Sequence, residues 1–364
     1  MVYRLIDQLG VSAHGVNHAQ SVEEHPVVPL PTGLPVLQDG FARTISYLRL
    51  SITDRCDLRC TYCMPERMTF LPKSDVLSFE ELTRLVDAFI ARGITKLRIT
   101  GGEPLVRKDA IALLSRFASR LGGGGLKELT LTTNGTQLAQ HAQALADMGM
   151  KRINVSLDSL DRNVFARLSR RDVLPQVLEG IEAAAKAGLK VKINTVALAD
   201  ANADEIPSMI AWAHGNGFDL SLIEVMPLGE EMTHRSSSFL SLQDVKKRLE
   251  SQWTLTHLDD STGGPARYMH VAETGGRVGF ISPLSHNFCA TCNRIRMTCT
   301  GRLYTCLGHE EGEDLRSALR DDPSDDTMNA LLDRALAKKP ERHDFDAAHI
   351  DTPSSPRTMS VTGG

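Results

Sequence analysis

The sequence predicts an α/β chain: a parallel sheet of six βα units curved into a partial barrel, followed by a smaller C-terminal unit. Three observations carry this prediction. Short apolar runs alternate with segments whose apolar residues recur at helical spacing, from about residue 41 to 252, the pattern of a parallel sheet with helices outside it. Gly93, Gly149 and Gly188 stand at the ends of three helical runs, where a left-handed C-cap is wanted. After 252 the periodicity gives way to Gly263-Gly264-Pro265, a glycine pair at 275–276 and short β-rich runs. Six strands are fewer than the eight of a closed (β/α)₈ barrel. The barrel is therefore expected to be open, with room for a large substrate at its mouth.

Along the chain, residues 1–40 carry prolines at 26, 29, 31 and 35 and little periodicity. They read as a loosely ordered extension with a short helix over 2–9. Strands are expected over 45–52, 96–100, 128–133, 152–157, 190–196 and 219–226. Helices are expected over 79–92, 109–120, 138–148 and 177–187, among others. The run 314–339 reads as helical with a break near Pro323. The last residues are polar, with prolines at 353 and 356, and should be mobile unless something holds their end. The division expected is an extension (1–40), the barrel (41–252), a compact C-terminal unit (253–340) and a tail (341–364) ending in Gly363-Gly364.

Composition narrows the function classes. At 364 residues, 41% hydrophobic and 24% charged, the chain matches an ordinary soluble globular protein. A net charge of −4 offers no basic field for nucleic acid. The seven cysteines gather in 56–63 and 289–306, which favours metal ligation in a reducing cytoplasm over a secreted disulfide framework. No basic segment followed by an apolar run marks a signal peptide, and no apolar stretch is long enough to span a bilayer. The oligomeric state is left open, a homodimer included.

Cys56, Cys60 and Cys63 follow the first expected strand with C-x3-C-x2-C spacing. Three soft thiolates in one short loop suit an iron–sulfur cluster. Because a cube of four irons has four attachment points, one iron stays open for a small molecule. A zinc knot would ask for four ligands and a thioredoxin-like pair for two. Thr100-Gly-Gly-Glu-Pro104 follows the second strand. Its glycines allow close backbone approach to a ligand, and Glu103 could accept from a ligand's ammonium group. Alone, it would read as an ordinary strand-to-helix turn.

Cys289, Cys292 and Cys306 form a second group. A zinc ribbon with Cys299 as fourth ligand competes here with a second three-thiolate cluster. Arg294 and Arg296 stand beside it, and Arg49, Arg98 and Lys192 lie on expected strands. A row of cations inside one barrel is costly without an anionic ligand, and arginine forks suit polyphosphates. These residues point to a nucleoside triphosphate.

The spacing with Tyr62 before the last cysteine resembles the radical S-adenosylmethionine (SAM) superfamily. The ordered motifs LRLSITDRCDLRCTYC, LRITGGEPLVR, TLTTNG, INVSLDSL, VKINTV, IEVMPLGE, FCATCNRIR and the terminal Gly-Gly resemble its GTP 3′,8-cyclase family. That resemblance implies a partial (β/α)₆ radical SAM barrel with a smaller C-terminal iron–sulfur domain. It implies two [4Fe–4S] clusters, one on Cys56, Cys60 and Cys63 with SAM on its open iron, the other on Cys289, Cys292 and Cys306 facing the guanine. Tyr62, Gly102, Ser156 and Met226 match SAM contacts. Arg49, Arg98, Thr132, Lys192, Arg294, Ile295 and Arg296 match GTP contacts. Gly363 and Gly364 match a catalytic end inside the barrel. The implied reaction takes hydrogen from C3′ of GTP and joins C3′ to C8, the first step of molybdenum cofactor biosynthesis. Its implied partners are a reductant or electron-transfer protein and a downstream cyclic pyranopterin monophosphate synthase. A peptide-modifying radical SAM maturase and a zinc-dependent structural or nucleic-acid-binding protein stand as alternatives. The chain departs from the family in its long extension, in Cys299, and in Leu168-Ser-Arg-Arg171, which lacks a glycine often found there.

Overall fold

Six strands, each built on a short apolar run, follow one another in parallel register: β1 (Tyr47–Ser51), β2 (Lys96–Thr100), β3 (Glu128–Thr133), β4 (Arg152–Ser156), β5 (Lys190–Ala197) and β6 (Asp219–Glu224). They lie within two residues of the expected bounds. The structure is a computed structural model and describes residues 33–229, 232, 235–259 and 263–363; the expected helix over 2–9 and Gly364 lie outside those residues.

Helices return the chain between strands: α1 (Phe79–Ala91), α2 (Ala110–Ala118), α3 (Leu138–Asp147), α4 (Arg162–Ser169), α5 (Leu174–Lys186) and α6 (Ile206–Gly215). The first shows why these segments are helical. Ser78 accepts from the Glu81 amide while Glu81 accepts from the Ser78 amide, a reciprocal N-terminal box. Leu82, Leu85, Val86, Phe89 and Ile90 are buried at helical spacing. Gly93 then takes φ +92°. Gly149 and Gly188 do the same after α3 and α5, at +90° and +82°, as their positions predicted. The β4-to-β5 crossover holds two helices. The first ends on Arg170, a non-glycine residue at φ +54°, in the loop where a glycine was missed.

Two further helices, α7 (Arg235–Ser238) and α8 (Leu242–Glu250), precede the C-terminal strands β7 (Leu255–Leu258), β8 (Arg267–Val271), β9 (Gly276–Ile281), β10 (Arg294–Met297), β11 (Arg302–Tyr304) and β12 (Gly312–Asp314). The boundary expected at 252 falls between α8 and β7. The later strands extend the same sheet on both sides. Its order is β12-β11-β10-β1-β2-β3-β4-β5-β6-β9-β8-β7 among the described residues. β10 is parallel to β1, and β9 is parallel to β6. Both edges of the six-stranded core are thereby paired, which moves the sheet's open edges out to the short strands β12 and β7. Helices α9 (Leu315–Asp321) and α10 (Asp326–Ala337) are separated at Pro323, as expected, and α11 (Met359–Thr362) closes the chain.

The strands sort their side chains by parity. Leu48, Leu50, Leu97, Ile99, Leu129, Leu131, Ile153, Val155, Val191 and Ile193 point to the helices and form the main core. Their neighbours in sequence point inward. Part of the extension also packs: Leu37 is fully buried and its amide donates to Arg92 O at 2.9 Å. Among the described residues, no helix is long and apolar enough to cross a membrane.

Candidate active site

Inward parity builds the site. Arg49 on β1 is level with Arg98 on β2 and with Arg296 on β10. Thr132 on β3 is level with Asn154 on β4, which is level with Lys192 on β5. Arg49, Arg98, Thr132, Asn154, Lys192, Arg294 and Arg296 all line one cavity. Ile295 does not. Sitting between two inward arginines, its side chain is on the other face, 1% exposed in the core, which leaves its backbone as the part that a ligand in the cavity would meet.

The same cavity takes in Cys56, Cys60, Cys63, Cys289, Cys292 and Cys306, together with Tyr62, Gly102, Ser156 and Met226. The two cysteine groups stand at opposite ends of it. Cys56–Cys63 follow the C-terminal end of β1, whereas Cys292 precedes β10, whose Arg294 is level with Tyr47 at the start of β1. Four residues of extended strand separate those levels, about 13 Å of rise.

The first cysteine loop is held from several sides. Asp57 accepts from Asn134 Nδ2 at 2.7 Å and Thr136 Oγ1 at 2.6 Å. Arg59 NH1 donates to Cys56 O at 2.6 Å. The C-terminal end of α4 pairs with it: the Arg59 amide donates to Ser169 O and the Thr61 amide to Leu168 O, both at 2.9 Å. Tyr62 donates its hydroxyl to Asp158 Oδ2 at 2.6 Å. Burial lifts Asp158 to about 6 against that bond and the Val196 amide. Asp158, whose signal was its place at the end of β4, was not singled out by sequence reasoning. Neither was Asn134, which also reaches Cys56 Sγ at 3.7 Å.

The glycine pair after β2 lines the cavity and also makes a close approach within the protein itself. A Cβ on Gly101 would meet Thr53 O at 2.6 Å, and one on Gly102 would meet Arg55 O at 2.2 Å. The Gly102 and Glu103 amides donate to those carbonyls at 2.8 and 2.7 Å. The close approach is to the cysteine loop's own backbone. Glu103 is completely buried and accepts from the Leu105 amide, Thr133 Oγ1 and the Asn134 amide at 3.0, 2.9 and 2.6 Å. Burial raises it to about 7 in spite of these donors. It braces the end of β3 with the acceptors expected for a ligand.

The middle of the cavity is cationic and starved of counter-charge. Burial lowers Lys192 to about 7, helped by Arg98 and Arg152; its Nζ donates to Tyr268 Oη at 2.7 Å. Burial takes Arg49 down to about 10 and Arg296 well below its ordinary value, with Arg49 and Arg294 adding to it. Burial alone would raise Tyr47, but Arg98, Arg49, Lys96 and Arg294 outweigh it and bring it to about 7. Among the described residues, the Nε atoms of Arg49 and Arg98 are buried with no hydrogen-bond partner. Such a cluster is costly until an anion enters.

All seven cysteines are free thiols. Cys299 is apart from the second group, 1% exposed and outside the cavity, beside Asp54 and Arg107, so the four-thiolate reading loses its fourth ligand. Among the described residues no three His, Cys, Asp or Glu side chains close on a single-ion position. The donor chemistry fits iron–sulfur ligation: soft thiols in threes, with N–H donors aimed at sulfur. Lys339 Nζ approaches Cys292 Sγ at 3.7 Å. Burial would raise Cys292, yet Arg294 and Lys339 bring it down to about 7.

Comparison with known proteins agrees with this geometry. The Radical SAM superfamily matches residues 50–213 and Molybdenum Cofactor Synthesis C matches 218–345. The chain is 62% identical over 328 residues to a GTP 3′,8-cyclase of Erythrobacter litoralis, covering 90% of this chain and 98% of that one. This chain belongs to the GTP 3′,8-cyclase family. A GTP 3′,8-cyclase of Caulobacter vibrioides is 56% identical over 336 residues, 92% of this chain and 96% of that one, and one of Rhizobium meliloti is 53% identical over 346, 94% and 99%. The fold resembles Streptococcus suis SuiB bound to S-adenosylmethionine, with TM-score 0.54, 16% identity, and coverage of 87% of this chain and 77% of that one. That likeness is one of fold alone. As a radical SAM member, the GTP 3′,8-cyclase chain is an enzyme of [4Fe–4S] and SAM chemistry.

Gly363 is near the cavity without being part of its wall. Arg296 NH1 donates to Gly363 O at 2.7 Å, and a Cβ there would lie 1.9 Å from Thr100 Oγ1. The tail's end is therefore held, which is the exception its expected mobility allowed for.

Proposed function

We propose that this chain converts GTP to (8S)-3′,8-cyclo-7,8-dihydroguanosine 5′-triphosphate, the first step of molybdenum cofactor biosynthesis, inside the single cavity described above. The observation that carries the reading is the pairing of two thiol triads at the two ends of one cation-lined cavity. Cys56, Cys60 and Cys63 would hold one [4Fe–4S] cluster, and Cys289, Cys292 and Cys306 a second. Tyr62, Gly102, Ser156 and Met226 would contact SAM. When bound, these groups would supply one-electron cleavage of SAM, hydrogen abstraction at C3′ and a metal site for the guanine.

The chain's own residues do the rest. Arg49, Arg98, Lys192, Arg294 and Arg296, with Thr132, would grip the triphosphate and fix the ribose between the triads. Gly363 and Gly364 would place a side-chain-free end beside the reacting ribose. We read 41–252 as the unit that cleaves SAM, 253–340 as the unit that seats the guanine and 341–364 as the closing tail. Electrons would come from a cytoplasmic reductant or electron-transfer protein, and the product would pass to a cyclic pyranopterin monophosphate synthase.

The deciding experiment is anaerobic reconstitution followed by incubation with GTP, SAM and a reductant. Formation of 5′-deoxyadenosine together with the cyclised nucleotide supports the reading. SAM cleavage unaffected by GTP, with no cyclised nucleotide, would remove it.

A further inference from the structure

The C-terminal segment touches both ends of the cavity, and one arginine fixes how far it reaches. The Arg357 guanidinium carbon is 3.8 Å from the centre of the Tyr304 ring. Its Nε donates to Glu310 Oε1 at 3.0 Å, and its NH2 donates to Leu307 O at 3.2 Å and to His309 O. All four partners belong to β11 and the loop that carries Cys306. The Ser355 hydroxyl donates to the same Glu310 carboxylate and accepts from the Arg357 amide at 3.2 Å. Just before this staple, the Ser354 amide donates to Pro227 O and the Gly229 amide to Ser355 O, both at 2.9 Å, in the segment that follows Met226.

Beyond the staple the chain has little slack. Four of the six residues from 358 to 363 form α11, where each residue advances about 1.5 Å. Met359 lines the cavity, and the Ser360 amide faces Cys63 Sγ. Gly363 arrives at φ +74° against Thr100, with its carbonyl on Arg296. A slip of one residue further along the tail's direction would bring Thr362 to a position where a Cβ has no room. The register of the tail is thus set where it is stapled, on the Cys306 loop.

We propose that Arg357 is a positioning residue that sets this register and couples the loop carrying Cys306 to the seating of Gly363. The proposal rests on the reading of Gly363 as part of the cyclisation site. The test uses full-length, anaerobically reconstituted enzyme with Arg357→Ala and Arg357→Lys. Hydrogen–deuterium exchange of the 358–364 peptide should speed up about tenfold or more in Arg357→Ala, because local opening replaces a multiply bonded anchor. Iron content and the KM for GTP should stay at wild-type values while kcat falls about tenfold, the scale of a lost charge-assisted bond. Arg357→Lys, which keeps the cation without the fork, should fall between. Unchanged exchange in Arg357→Ala, wild-type kcat with a freed tail, or loss of iron would each overturn the proposal. If the wild-type enzyme itself turned over no GTP, the functional reading would fail, and the exchange measurement would still decide the anchoring.

Discussion

Lys192 should make GTP binding depend on pH with a sign opposite to that of the phosphates. Its ammonium is buried among Arg98, Arg152 and Tyr47, with the Asp219 carboxylate acting on it and Tyr268 Oη on its Nζ, and burial brings it to about 7 in the free protein. A triphosphate beside it favours the charged form, so the bound value lies higher. Binding therefore takes up a proton between the two values, and affinity falls as pH rises through that window. At pH 7 about half of the free protein carries the charge, and at pH 8.5 about 3% does, so this lysine alone weakens binding about 15-fold across that interval. The γ-phosphate, with its second ionisation near 6, is already almost fully charged by pH 7. Tyr47, at about 7, adds a loss of the same sign, so the measurement must compare wild type with Lys192→Met. Calorimetric titration of GTP at pH 7 and 8.5 should show Lys192→Met weaker by about 1.5–3 kcal/mol at the lower pH. The gap should narrow by about 1.6 kcal/mol at the higher pH, which is 15-fold in affinity. Parallel pH profiles for the two proteins would refute the assignment of this proton to Lys192.

Other outcomes follow from the same geometry. Cys60→Ala should abolish 5′-deoxyadenosine formation, read by chromatography of anaerobic reactions. Cys299→Ser should keep its full iron and activity, because that thiol is outside the cavity, whereas Cys306→Ser should lose iron and cyclisation but still cleave SAM. Gly363→Val should retain iron and SAM affinity and lose cyclisation, since its Cβ would sit 1.9 Å from Thr100 Oγ1; wild-type turnover would contradict this. Gly102→Ala should lower iron incorporation at the first triad, because the added carbon meets Arg55 O at 2.2 Å and must push the cysteine loop away.

Much of the barrel could be read because local and global signals agree there. Each strand is a short apolar run, and glycine closes the helices at 93, 149 and 188. The cysteines were legible because thiolates in threes have few structural uses. What could not be read depended on partners distant in sequence. Ile295 shares a motif with two cavity arginines, yet strand parity turns its side chain away. Gly101 and Gly102 read as ligand-approach glycines, and their tight fit against Thr53 and Arg55 on the cysteine loop had no signal in the sequence. Arg170 adopts φ +54° without being glycine, directly after a helix end tied to the cysteine segment by backbone bonds. The arrival of β9 and β10 at opposite edges of one sheet leaves no periodic trace, because an edge strand carries the same alternation wherever it docks.

That edge pairing has a consequence for how the protein is made. A ribosome finishes β1 to β6 well before it reaches β9 and β10. Until then the nascent sheet ends in two unpaired parallel edges, on Tyr47–Ser51 and Asp219–Glu224, each able to recruit a stray strand. The join between β1 and β10 spans some 240 residues of chain, so it closes late and slowly. Overproduction should therefore outrun folding at this point first, and slower synthesis or a chaperone that shields strand edges should raise the soluble yield more than any added stability in the finished barrel.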